Sequence, residues 1–193
     1  MVDSTIEAEK PVQYPRDNRR FSEAPAWESV GSGWRQLHGN FRDLGYSIEW
    51  HDFTARHDLD WSRSFHPGSL EICLNVTGNG EVRAGRRSLE LASSTSGFYA
   101  QNDSRLTALR RGGERHQFIT IELSLLFLER HLMPGEKGMN PRVGKVFARA
   151  AREAAAVSEP VRLTSEHQQL VMSLRHPPVF AAAQRLWYQA KAM

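Results

Sequence analysis

The sequence predicts a mainly β protein: an antiparallel barrel or sandwich of short strands, then a helical C-terminal segment. Two observations carry that expectation. Between residues 45 and 123 apolar residues recur at every second position in short runs, broken by turn residues every eight to twelve positions, the spacing of a barrel or sandwich with antiparallel neighbours. After Leu123 the apolar period changes to that of helices.

Taken in order, residues 1–44 are polar, carry Pro11, Pro15 and Pro25, and show no sustained period to about residue 40. They are expected to form an N-terminal arm, partly irregular and ordered only near Trp27 and Trp34. Tyr46, Ile48 and Trp50 then alternate with Ser47, Glu49 and His51, the pattern of a half-buried strand. Leu70, Ile72, Leu74 and Val76 alternate with Glu71, Cys73 and Asn75 in the same way. Thr77-Gly78-Asn79-Gly80 supplies residues that tolerate positive φ, so a hairpin turn is expected there, and a second one at Gly85 before Leu89 and Leu91. A strand is expected over about 96–100, and a hairpin joining residues 106–110 to 117–123 through Gly112-Gly113. That makes seven or eight strands in residues 45–123, enough for a closed apolar container.

In residues 124–193, Ser124 is placed to cap a helix over 125–132, which Pro134-Gly135 stops. Residues 141–157 are alanine-rich and read as helical, ending before Pro160. Thr164 or Ser165 caps a further helix to about Arg175, and Pro177-Pro178 ends it. The last segment puts Val179, Phe180, Ala183, Leu186, Trp187 and Ala190 on one stripe. No Gly, Asn or Pro closes that helix, which is expected of a chain cut from a longer one.

Composition narrows the function classes. Apolar residues make up 40% of the 193, enough for a core, yet no run approaches a membrane span. A single cysteine, Cys73, excludes an internal disulfide and fits a reducing cytoplasm. It lies in an apolar strand and is expected to be inert. The net charge is only +3, and the basic residues stand in short groups such as Arg83, Arg86, Arg87 and Arg110-Arg111. A DNA-gripping element concentrates such charge, so this segment alone is not expected to bind DNA. No P-loop, nucleotide-binding glycine motif or nucleophile elbow occurs.

His66-Pro67-Gly68-Ser69-Leu70-Glu71, with Gly78 after it, resembles the second half of the first cupin motif. Cupin enzymes hold a transition metal there with two histidines, a glutamate and a later histidine. Position 64 is Ser64 instead of the first histidine, and after Gly97 the second motif is replaced by residues such as Asp103, Arg105 and Ala108. At most two ligands of four survive, too few for a catalytic metal. His51, His57 and His116 share no ligand spacing and are expected to be hydrogen-bonded or exposed. No catalytic residue, metal or cofactor is therefore expected, and a metal-dependent cupin dioxygenase or isomerase stands as the rival reading.

A degenerate cupin barrel, or jelly roll, followed by helices resembles the N-terminal effector domain of AraC-type transcription regulators. The likeness covers about residues 45–193. It rests on the run from Leu70 through Cys73 and Asn75 to Gly80, on Gly97-Phe98-Tyr99, on Gly113-Glu114-Arg115-His116-Gln117-Phe118, and on Ile121-Glu122-Leu123-Ser124. The terminal Leu186-Trp187-Tyr188-Gln189-Ala190-Lys191 looks like the linker helix of the siderophore-regulator branch, of the pyochelin-responsive kind. The resemblance implies a cupin-like barrel over 45–123 and a helical dimerisation and linker segment over 124–193. It implies a small-molecule effector, a homodimer, and DNA binding only through a C-terminal domain absent from this chain. Trp50, His66, Glu71 and His116 are the expected pocket residues, as polar or aromatic groups on or beside strands. Leu128, Leu132, Phe180, Ala183, Leu186 and Trp187 are the expected dimer residues, because a second apolar helix face seeks a partner.

Overall fold

A computed structural model describes residues 27–102, 106–131, 141 and 155–192. Residues 1–26, Asp103, Arg105, Leu132, the Pro134-Gly135 stop and most of the expected helix over 141–157 lie outside the described residues. The strands are β1 (Trp34–Asn40), β2 (Tyr46–Thr54), β3 (Leu59–Asp60), β4 (Ser69–Thr77), β5 (Gly80–Ala84), β6 (Arg87–Leu91), β7 (Thr95–Gln101), β8 (Leu106–Arg110), β9 (Arg115–Ser124), β10 (Ala155–Val157) and β11 (Val161–Arg162). The helices are α1 (Phe41–Leu44), α2 (Leu125–His131), α3 (Ser165–Arg175) and α4 (Gln184–Ala192), with a 3-10 segment at Glu28–Gly33.

The strands form two antiparallel sheets. One has the order β1-β2-β9-β4-β7-β10, with β11 also on β7; the other has the order β3-β8-β5-β6. The fold is mainly β with a helical C-terminal part, and its sheets are those of a jelly roll. Between the sheets lies an aromatic core that includes Phe53, Trp61, Phe65, Val82, Leu89, Leu91, Tyr99 and Phe118. The outer face of the larger sheet carries a second cluster, in which Tyr46, Ile48, Trp50, Leu74 and Ile119 meet Val171 and Leu174 of α3 and Tyr188 of α4.

Several elements are where the sequence puts them. Ser124 Oγ accepts from Phe127 N–H at 3.1 Å to start α2, and Thr164 caps α3 in a reciprocal capping box with His167. The β5–β6 hairpin turns at Gly85, whose φ is +61°.

Four expectations are corrected. Trp34–Asn40, expected in the irregular arm, is a strand paired with β2. The turn at Gly78 joins β4 to β5, which lie in different sheets, so it makes a crossover rather than a hairpin. β8 and β9 likewise belong to different sheets, so residues 111–114 also cross over. Glycine turns look alike in sequence whether the chain folds back or passes across the sandwich. Finally, Ala155–Val157, expected as the end of a helix, pairs with β7 as a strand; alanine's helix preference is weak beside an unpaired sheet edge.

Candidate functional site

The strand phase in the larger sheet sets up the site. Ile48, Leu74 and Ile119 face the helices, so the alternating polar residues of β2, β4 and β9 face inward. Register then brings them side by side: Ser47 opposite Glu122, Glu49 opposite Thr120, and Glu71 opposite Glu122. The inner surface is therefore an aromatic core at one end and a group of carboxylates at the other, more polar than the apolar container expected from the sequence.

At the polar end lies a cavity of about 40 Å³ lined by residues including Glu49, Glu71 and Glu122, with His66 and the rings of Trp27 and Trp34. Each carboxylate is held differently. Glu122 Oε2 lies 2.7 Å from His66 Nδ1, and Glu122 Oε1 accepts from the His66 N–H at 3.3 Å. His66 is fixed on its other sides by stacking on Phe41, with ring centroids 4.0 Å apart, while its carbonyl accepts from Ser69 and Gln101. Glu49 accepts from Trp34 Nε1 at 2.9 Å and faces His51 Nε2 at 3.5 Å. Burial opposes its charge, but the bonds from His51 and Trp34 outweigh burial and hold its carboxyl below the usual range.

Glu71 differs. Burial, then the Glu122 charge opposite it, push its carboxyl well above the usual range, because like charges side by side in a dry site cannot both ionise. Tyr99 donates to Glu71 Oε1 at 2.6 Å, and burial with Glu71 alongside keeps that phenol protonated. A protonated Glu71 can donate from its other oxygen, a role buried neutral carboxylic acids fill elsewhere.

The sign of the linkage follows. A carboxyl raised in the folded state binds more protons than in the unfolded chain, so stability falls as pH rises above the ordinary carboxylate range. Glu71→Gln keeps an acceptor for Tyr99 and removes that loss. Its melting temperature should exceed the parent's by about 2–4 °C at pH 8, with a smaller difference at pH 5, measured by calorimetry. An equal difference at both would contradict a protonated Glu71.

Of the residues expected in the pocket, His66 and Glu71 come together there. Trp50 lies on the opposite face of the sheet, under the Arg175 guanidinium at 4.8 Å. His116 faces inward but at the far end, where Nε2 meets the Arg111 carbonyl at 2.8 Å. It is fully buried, as is His51. Cys73 is buried, and desolvation raises its thiol to about 11, against nucleophilic use. Sequence reading misses Glu49 and Glu122. Their strands alternate as expected, but the apolar phase, which the sequence suggests for the interior, faces the helices. Trp27 and Trp34 stand out in the sequence only as ordering points of the arm.

The cupin metal does not fit these residues. Ser64 replaces one ligand, His66 Nδ1 is committed to Glu122, and Glu71 is bonded to Tyr99. Among the described residues no group of three or more His, Cys, Asp or Glu is arranged to hold a metal ion. No helix among them is long and apolar enough to cross a membrane.

The cupin domain of an XRE family transcriptional regulator from Enterobacter cloacae is similar at 12% identity and a TM-score of 0.37, covering 47% of this chain and 93% of that one. An HTH_3 family transcriptional regulator from Vibrio cholerae is similar at 16% identity and 0.36, covering 47% and 49%. The Schizosaccharomyces pombe Cnp3 cupin domain is similar at 10% identity and 0.37, covering 50% and 68%. Likeness this distant adds nothing to the strand order as evidence of fold. No curated protein matches the chain. The family model described as the regulatory protein PchR N-terminal domain matches residues 38–193, which takes in the whole stretch, about 45–193, over which the motifs resembled a regulator's N-terminal domain. The chain belongs to the family of PchR regulatory protein N-terminal domains.

Proposed function

We propose that this chain is the effector-sensing domain of an AraC-type transcription regulator of the cytoplasm, and that a small molecule binds between His66, Glu71 and Glu122 without catalysis. The observation that supports this reading is that the pocket and the C-terminal helices share strands. On β9, Thr120 and Glu122 line the pocket while Ile119 and Ile121 lie in the cluster with α3 and α4. A ligand pressing on the inner face displaces the seat of the helices, because packed interiors transmit small shifts. An effector moves the equilibrium only by its difference in affinity for the two arrangements.

In this reading the regulator binds DNA through a further domain. Homodimerisation runs through the helical end. Phe180 is 92% exposed and Leu186 69%, both apolar and uncovered among the described residues, whereas Leu128 is buried and offers little to a partner. Ala183 and Trp187 flank them. Phe180→Asp with Leu186→Asp should sediment as monomer where the parent sediments as dimer; a variant that stays dimeric removes this face.

The probe for the pocket is the ferric complex of a pyochelin-type siderophore, the effector class that the family resemblance suggests. Calorimetry should give saturable one-to-one binding, weakened about tenfold or more by His66→Ala or Glu71→Ala, the scale of a lost charged or buried hydrogen bond. His116→Ala, at the far end, should leave it unchanged. Equal affinities in all variants would sink the pocket assignment.

A further inference from the structure

The cavity of about 40 Å³ is far below the roughly 300–1,000 Å³ that organic ligands occupy. Something in its wall must yield to admit one. Outside the strands the wall consists of Phe41, stacked on His66, of Ser64 and His66, hydrogen-bonded to the Trp61 carbonyl and to Glu122, and of Trp27, at the head of the 3-10 segment Glu28–Gly33. Its indole is 3% exposed and lies among the core rings, with centroids 4.5 Å from His51, 5.4 Å from Trp61, 6.1 Å from Phe118 and 6.2 Å from Phe53. It is tethered by a short turn in which Gly31, at φ +53°, has open space around it.

The rings around Trp27 carry unsatisfied polar atoms. Trp61 Nε1 and His51 Nδ1 are buried and have no hydrogen-bond partner among the described residues. Such atoms are uncommon in folded proteins, and each one needs a physical reason. His51 Nε2 is turned to the Glu49 carboxylate at 3.5 Å, which places the proton there and leaves Nδ1 a lone-pair acceptor. Trp61 Nε1 is a donor only. The indole ring of Trp27 therefore packs by shape against two rings that each carry an unmatched polar atom.

We infer that Trp27 occupies a ring-binding seat of the effector pocket, and that the ligand is a planar aromatic carrying both a hydrogen-bond donor and a lone-pair acceptor, which replaces Trp27 against His51 and Trp61. This rests on the effector-pocket reading and extends it. When the ring enters and Trp27 leaves, the seat becomes continuous with the carboxylate cavity, so polar substituents on the ligand reach Glu71 and Glu122.

The test uses the full chain with Trp27→Ala and two probes of one shape. Indole has an N–H and no acceptor; benzimidazole has an N–H and a ring nitrogen acceptor. By calorimetry Trp27→Ala should bind both, with benzimidazole about tenfold tighter, the scale of satisfying one buried donor. The parent should bind benzimidazole at least about tenfold more weakly than the variant, because Trp27 competes for the seat. A variant with the parent's circular dichroism and cooperative melt that binds neither probe, or binds both equally, overturns the inference. Should Trp27→Ala not fold, the parent labelled with 5-fluorotryptophan serves instead. The chain has five tryptophans, and the Trp27 fluorine signal is assigned from Trp27→Phe. Benzimidazole should shift that signal toward its solvent position; a signal unmoved up to the solubility limit overturns the inference. The siderophore experiment does not depend on this seat, so the two readings fail separately.

Discussion

Arg110→Ala should destabilise the domain by roughly 3–5 kcal/mol, about what large-to-small core truncations cost, read from urea unfolding at pH 7.5. Arg110 is fully buried on β8, between the sheets. One terminal nitrogen donates to Asn75 Oδ1 at 2.8 Å, another reaches Cys73 Sγ at 3.5 Å, and the guanidinium lies 3.8 Å from the Phe118 ring centroid. Truncation removes the long side chain from the core and leaves Asn75 Oδ1 without that donor. Relief of a desolvated charge offsets part of the loss. Arg110→Met, which refills most of the space, should therefore cost markedly less than alanine. If the two cost the same, the packing argument fails and the hydrogen bond to Asn75 carries the effect.

Gly78→Ala should cost roughly 3 kcal/mol or more, from left-handed strain of about 1–2 kcal/mol and a collision. Gly78 has φ +82°, and an added Cβ would lie 2.3 Å from His116 Nδ1 and 2.7 Å from the Arg115 carbonyl. The imidazole would have to leave, breaking its contact with the Arg111 carbonyl. Gly85 supplies the control. Its φ is +61°, and an added methyl would meet nothing within 4 Å, so Gly85→Ala should show the strain alone. Thermal melts of both variants separate the two causes; equal losses would mean that the β4–β5 crossover tolerates a shifted His116.

The same crossover shows where sequence reasoning stops. Strand positions are legible because alternation is local: Tyr46, Ile48 and Trp50 sit on one face and Ser47, Glu49 and His51 on the other. Which face is inside is not legible, because α3 and α4 bury the outer face as deeply as the second sheet buries the inner one. Motif spacing finds His66 and Glu71. Glu49 and Glu122 carry no motif, and only the register of β2, β4 and β9 joins them to that pair. Trp27 lies far outside any strand pattern, and its place between the sheets is purely a long-range contact. The exposed Phe180 and Leu186 are legible as a stripe, whereas Tyr188, whose hydroxyl donates to the Leu174 carbonyl at 2.7 Å, is the residue that anchors α4.

Coupling across the large sheet is what turns a pocket into a sensor, and amide hydrogen exchange with and without the ferric siderophore probe reads it residue by residue. Slowed exchange in β4 and β9, together with altered exchange in α3 and α4, is the expected result. Slowing confined to exposed loops, or protection of the strands with residues 165–192 unchanged, would contradict it.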